Sequence, residues 1–293
     1  MRIVDVTPDT DEWLTERRAS VGASEAAALV GTDHWGGTPL QVYLGKIGAR
    51  VKPFPEVLSY VTHAAEPLIA GYVEKFAPEI GSLEPGFMAR RDDTPWLHAT
   101  FDRVTYRDDG QLIPVQFKTS HPFSRRDWEG GLLPQYKVQE DVECWIADAP
   151  YAWVVVWHYG DDFQVFKHTP QPAEQARVVE AARRLMECVE RREPPSAQLG
   201  DDLAALYPPI SGAVVRADLA VVDAVEMLAE AQRIKREHAA EQDKDIDAAK
   251  FEIEQYMKDA TELVAPDGRL IHTWRPDKNG KRRHWTPKRE DTK

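Results

Sequence analysis

The chain has 293 residues and carries 37 Lys and Arg against 49 Asp and Glu, a formal net charge of -12. Nine Trp, nine Tyr and nine Phe are too many for a disordered chain, and no stretch approaches the roughly 18 apolar residues that span a bilayer, so a folded protein with a large core and no membrane segment is expected. Two cysteines, Cys144 and Cys188, are too few for a disulfide framework, a four-thiolate zinc site or a four-cysteine iron–sulfur cluster. Residues 1–14 mix acids into their start instead of building a signal-peptide core, and the expected location is the cytoplasm.

In chain order, residues 24–30 predict a short helix with Ser24 at its N-cap, closing at Gly31. A second helix is expected over residues 63–76, with Pro67 near its start, where proline is tolerated. Strand-like runs follow at 96–106, 112–118, 153–159 and 163–168, and the turn Asp108-Asp109-Gly110 joins the first two as a hairpin. A helix over 135–146 precedes the third strand. Residues 173–192 are amphipathic, with Val178, Ala182, Leu185 and Val189 on one face.

The expected fold is an α/β core over residues 1–195, a mixed central sheet flanked by helices, followed by a helical extension over 196–293. Residues 217–263 are almost all helix formers whose apolar positions thin out around 237–245, which fits two helices or one long kinked one. Residues 270–274 are strand-like. Residues 269–293 then hold nine Lys and Arg against three acids, a local charge of +6 that leaves -18 upstream. Net charge therefore does not decide nucleic-acid binding, because a local basic groove outweighs the sum.

The hairpin holds the sharpest chemical signal. A turn centred on Asp109 sets Asp102 opposite Gln116, and one centred on Gly110 sets it opposite Lys118. Period-two alternation sends Gln116 and Lys118 to one face and Val115 and Phe117 to the other. A carboxylate, an amide oxygen and an ammonium on one face are what phosphodiester hydrolysis requires: oxygens for a hard divalent cation, and a cation for the attacking water or the charged phosphorus centre. By spacing alone an exposed Asp–Lys pair on a solvated face fits equally well. Glu66 offers another carboxylate, set beside an apolar stripe of Ile69, Ala70 and Val73; such a charge needs a cation, a basic partner or water. Gln139 shares a polar helical stripe with Tyr136 and Glu143, opposite Val138, Val142 and Trp145.

The ordered set Arg17, Gly22-Ala23-Ser24, Glu66-Pro67, Asp102, Gln116-Phe117-Lys118-Thr119-Ser120, Arg126-Asp127-Trp128 and Pro134-x-Tyr136-x-x-Gln139 resembles the YqaJ-like and lambda exonuclease group of the PD-(D/E)xK nuclease superfamily. It covers roughly residues 13–190. The resemblance implies a restriction-endonuclease-like core and a magnesium-dependent 5′-to-3′ exonuclease on double-stranded DNA ends, with manganese as a substitute ion. It also implies phage-type recombination with a single-strand annealing protein, and a ring-shaped homotrimer. Carried over by position, Glu66, Asp102 and Gln116 are metal ligands with the Phe117 carbonyl, Lys118 is the catalytic lysine, and Gln139 belongs to the same site. Arg17, Ser24, Thr100 and Arg126 fall where the DNA 5′-phosphate binds, with Arg125 the rival of Arg126 because the latter needs a one-residue insertion after Lys118.

One departure stands out, because the group usually has Glu where this chain has Gln116. An amide keeps the oxygen donor and loses the charge. Two alternatives to the exonuclease therefore stand beside it, a structure-specific endonuclease on the same core and a non-catalytic DNA-end binder. Arg17 also reads as a surface cation paired with Glu16 or Glu12, His63 as structural, and Trp35 as a core residue or a platform for an end base. No HExxH pair and no G-x-x-x-x-G-K-[ST] loop occur.

Overall fold

The computed structural model describes residues 1–7, 10–33, 37–49, 55–160, 162–207, 216, 219–257, 260–266, 268, 270–278 and 282–285. Contacts divide the chain into two units, Met1–Pro209 and Ile210–Lys293. In the first, the strands are β1 (Arg2–Val4), β2 (Val21–Gly22), β3 (Glu84–Pro85), β4 (Met88–Arg91), β5 (Thr94–Thr100), β6 (Arg103–Tyr106), β7 (Leu112–Ser120), β8 (Ala152–His158) and β9 (Asp162–His168). The helices are α1 (Asp11–Arg18), α2 (Ala26–Leu29), α3 (Pro39–Lys46), α4 (Glu56–Phe76), α5 (Pro134–Ala147), α6 (Pro172–Arg191) and α7 (Gly200–Leu206).

The mixed α/β expectation holds, but the strands form two mixed sheets, ordered β1-β4-β5-β2 and β3-β6-β7-β8-β9. The run read as one strand over 96–106 is split between them at Phe101–Asp102, where the chain leaves the first sheet and enters the second. Gly86 lies against this crossing: a Cβ there would stand 1.8 Å from the Phe101 carbonyl oxygen. Only glycine lets the two backbones approach so closely.

In the β6–β7 hairpin Arg103 faces Val115 and Tyr106 faces Leu112, the register of a turn centred on Asp109. Val115 and Phe117 point into a core with Ala65, Ile69 and Val73 of α4. On the other face, α5 packs against β7. The β7–β8 pair is parallel, so the chain must cross over between them, and α5 is that connection. Helix α6 buries Val178, Ala182 and Leu185 in the main core, with Val189 packed at its edge.

Two helix expectations are corrected. Helix α4 starts at Glu56, so Pro67 sits in its interior and leaves the His63 carbonyl without its helical donor. Ser24 is not an N-cap: it lies inside a 3-10 turn, Ala23–Glu25, and the Glu25 carboxylate accepts the Gly22 N–H at 2.7 Å. A negatively charged, half-buried acceptor beside a lysine serves that end of the turn better than a hydroxyl.

The first unit runs past residue 195 because buried Asp202 ties α7 to it, accepting from Thr38 Oγ1 at 2.7 Å and from the Gln198 N–H at 2.8 Å. In the second unit α8 (Leu219–Met257) is one helix of about 58 Å at 1.5 Å per residue. Strands β10 (Glu262–Val264), β11 (Leu270–Pro276) and β12 (Arg282–Trp285) then form an antiparallel sheet. Part of the expected basic tail is therefore folded: Arg275 pairs with Glu262, Arg283 with Asp277, and the Arg282 guanidinium lies 3.6 Å from the Trp274 ring centre. Residues 286–293, like Trp35, lie outside the described residues. Among the described residues no helix is long and apolar enough to cross a membrane.

Candidate active site

A cleft of about 690 Å³ opens where the two sheets meet, lined by residues of both and by α1, α4 and α5. It brings together Arg17, Ser24, Glu66, Thr100, Asp102, Gln116, Lys118 and Gln139. These come from segments far apart in the chain, and four of them sit on or beside the β6–β7 hairpin and the helix that follows it.

Asp102 is fixed by the hairpin. Its Oδ2 accepts the Phe117 N–H at 2.8 Å, so the acid is anchored to the strand that carries Lys118. Burial raises the Asp102 pKa to about 6, against the pull of Lys118 and of the Phe117 N–H; the Glu66 charge adds to the rise. Lys118 Nζ donates to Gln139 Oε1 at 2.9 Å and lies 4.9 Å from the Tyr136 ring centre. Gln139 Nε2 in turn donates to Glu143 Oε1 at 2.8 Å. Of the expected polar stripe of α5, Gln139 and Glu143 thus face the cleft and are buried, while Tyr136 stacks on Trp128.

Helix α5 also carries two fully buried acids, Glu140 and Glu143. Burial, the largest cause, raises the Glu143 pKa to about 8, opposed by the Gln139 hydrogen bond and by Lys118. Glu140 is pushed well above the ordinary carboxylate range by burial and then by Glu143.

Around Arg17 the charge environment is the reverse. The Arg17 guanidinium lies over the Trp13 ring at 4.6 Å, and Glu16, one of its expected partners, pairs instead with Arg90 at 2.8 Å. Buried Lys46 donates to the Arg17 carbonyl at 2.8 Å and to Glu25 Oε2 at 2.5 Å. Buried His98 hydrogen-bonds Ser20 Oγ through Nδ1 at 2.8 Å. Burial, and then the charges of Lys46, Arg17 and Arg90, hold its pKa well below the usual value. Ser24 is exposed at this part of the cleft.

Three expected residues stand apart from the cleft lining. The Phe117 side chain faces the α4 core, while its N–H holds Asp102. Arg125 pairs with Asp162 at 2.9 Å, and Arg126 is exposed on the 3-10 turn Pro122–Trp128. Sequence reasoning missed Arg103, whose Nη1 reaches Glu66 Oε2 at 3.3 Å and the Asp102 carbonyl at 2.5 Å. It also missed Lys46, Glu25 and His98, which no local pattern marks, and set aside His63, which lines the cleft.

Among the described residues no three His, Cys, Asp or Glu side chains converge closely enough to hold an ion. The donor set still suits a hard divalent cation. Asp102 and Glu66 face the cleft with Gln116, whose buried Oε1 has no hydrogen-bond partner, and an orphaned amide oxygen beside two carboxylates is oxygen-donor chemistry.

The fold is that of an alkaline exonuclease. LHK-Exo from Laribacter hongkongensis superposes with a TM-score of 0.50, and its crystal structure in complex with dAMP with 0.52. Each is 13% identical and covers 63% of this chain and 94% of that one. In sequence the chain is 27% identical over 135 residues to the uncharacterized protein YqaJ of Bacillus subtilis (strain 168). That match takes in 44% of this chain and 40% of YqaJ, so the chain spans less than half the length of the curated relative it matches. No protein-family profile matches the chain.

Proposed function

We propose that this chain is a magnesium-dependent deoxyribonuclease that degrades double-stranded DNA from its ends in the 5′-to-3′ direction. On this reading it serves phage-type recombination with a single-strand annealing protein and works as a ring-forming homo-oligomer. The observation that carries the reading is the meeting of Asp102, Glu66, Gln116 and Lys118 in one cleft with Arg17, Ser24 and Thr100.

Asp102, Glu66 and the Gln116 oxygen hold the divalent cation, which when bound polarises the scissile phosphate and makes water a better nucleophile. Lys118, held by Gln139, steadies the negative charge that grows on the phosphate oxygens. Arg17, Ser24 and Thr100 grip the terminal 5′-phosphate, with Arg126 or its neighbour Arg125 closing on it from the turn after β7. A bidentate guanidinium and two hydroxyls suit a dianion. Burial keeps His98 uncharged beside them, so the pocket's positive charge rests on the arginines.

Linear, nicked and closed-circular duplexes incubated with and without magnesium test the reading. Loss of 5′-labelled nucleotides from the linear duplex alone, and only with the ion, is expected. Internal cutting of the circle would favour a structure-specific endonuclease. The neutral amide at Gln116 favours a second reading, a DNA-end binder without catalysis; end binding with no cleavage under any divalent ion would select it.

A further inference from the structure

Building on the proposed cation site, we infer that Glu143 supplies the negative charge that the amide of Gln116 lacks, as a charge standing behind Gln116 and beside the ion held by Asp102 and Glu66, not as a third carboxylate ligand. Both side chains line the cleft, both are more than nine-tenths buried, and both end in an oxygen, Gln116 Oε1 and Glu143 Oε2, with no hydrogen-bond partner. A buried acceptor without a donor is costly. Two of them facing one cleft mark a place where something electropositive belongs.

Chain geometry puts the two side by side. Helix α5 connects the parallel pair β7 and β8, so it runs antiparallel to β7. Lys118 and Gln139 are hydrogen-bonded across this packing. One helical turn onward from Gln139, a rise of about 6 Å, is Glu143; two residues back along β7 from Lys118, about 6.6 Å, is Gln116. The steps match in length and direction, and Glu143 stands beside Gln116 as Gln139 stands beside Lys118.

The other carboxylates leave room for such a role. Glu66 is engaged by Arg103 at 3.3 Å, and Asp102 spends one oxygen on the Phe117 N–H. Glu143 keeps one oxygen on Gln139 and has the other open.

The test is manganese binding to the full-length chain, followed by calorimetry and by electron paramagnetic resonance, with cleavage of linear duplex measured separately. Glu143→Gln keeps an oxygen to accept from Gln139 and removes only the charge. We expect it to weaken manganese binding roughly 10- to 100-fold with an unreduced melting temperature. Adding Gln116→Glu to that variant is expected to restore most of the affinity, which a purely structural role for Glu143 would not allow. Wild-type affinity in Glu143→Gln, or no rescue by Gln116→Glu, overturns the inference and leaves the nuclease reading standing. A wild-type chain that binds manganese but cleaves no DNA sinks the nuclease reading alone, and one that binds no manganese sinks both.

Discussion

Phe117 donates its backbone N–H to Asp102 Oδ2 at 2.8 Å, so the acid before one strand is tied to the residue preceding Lys118 on its neighbour. That bond fixes the spacing of carboxylate and ammonium at the cost of one carboxylate oxygen, Oδ2. Lys118→Ala leaves the bond intact and is expected to lower magnesium-dependent degradation of linear duplex by roughly 10²- to 10⁴-fold, with DNA-end binding retained. Full activity in the variant would remove the lysine from the chemistry.

Asp102 should impose an acid limit on cation binding. Its folded pKa is raised to about 6, so the ionised form that holds a cation is lost as pH falls through that value. The manganese affinity of the metal-free protein is expected to fall as pH drops through about 6, where a proton competes with the ion for Asp102, and a fall confined to pH near 4, the usual aspartate range, would contradict the raised value.

The acids of α5 act on stability with a definite sign. Glu143 is raised to about 8 and Glu140 is raised as well, so folding favours their protonated forms. That contribution is whole below the ordinary carboxylate range and is lost as pH rises through about 8. The metal-free protein should therefore melt at least about 5 °C lower at pH 9 than at pH 5. Glu143→Gln should flatten this slope, and an unchanged slope would mean that Glu143 is already ionised in the fold.

Gly86→Ala would place its Cβ 1.8 Å from the Phe101 carbonyl oxygen and 2.7 Å from the Asp102 carbonyl carbon. Backbone has to move. A loss of upwards of about 3 kcal/mol in denaturant unfolding is expected, with manganese binding weakened alongside because Asp102 follows Phe101.

Lys46→Met breaks the pair between buried Lys46 and half-buried Glu25 and frees the Arg17 carbonyl. Removing one partner of such a pair should cost about 2–4 kcal/mol. On the proposed function it should also erode any preference for 5′-phosphorylated over 5′-hydroxyl ends, measured as a change in KM more than in kcat. A variant as stable as the parent would show that the pair contributes nothing net.

Short-range periodicity determined a good deal. The turn at Asp109 and alternation along β7 put Val115 and Phe117 on one face and Gln116 and Lys118 on the other, and the α5 stripe pointed Gln139 and Glu143 the same way. Each signal is local, two or four residues long, and survives whatever the rest of the chain does. Only the tertiary structure decided what those faces meet: that the strand through Asp102 breaks to join two sheets, that Arg103 sits on Glu66, and that Lys46 and Glu25 brace the backbone around Arg17. The acids of α5 belong here too, since nothing in a polar helical stripe tells a solvated face from a buried one. Burial is set by which elements pack together across distant segments, and it is burial that turns Asp102, Glu140 and Glu143 from ordinary surface carboxylates into strongly shifted groups.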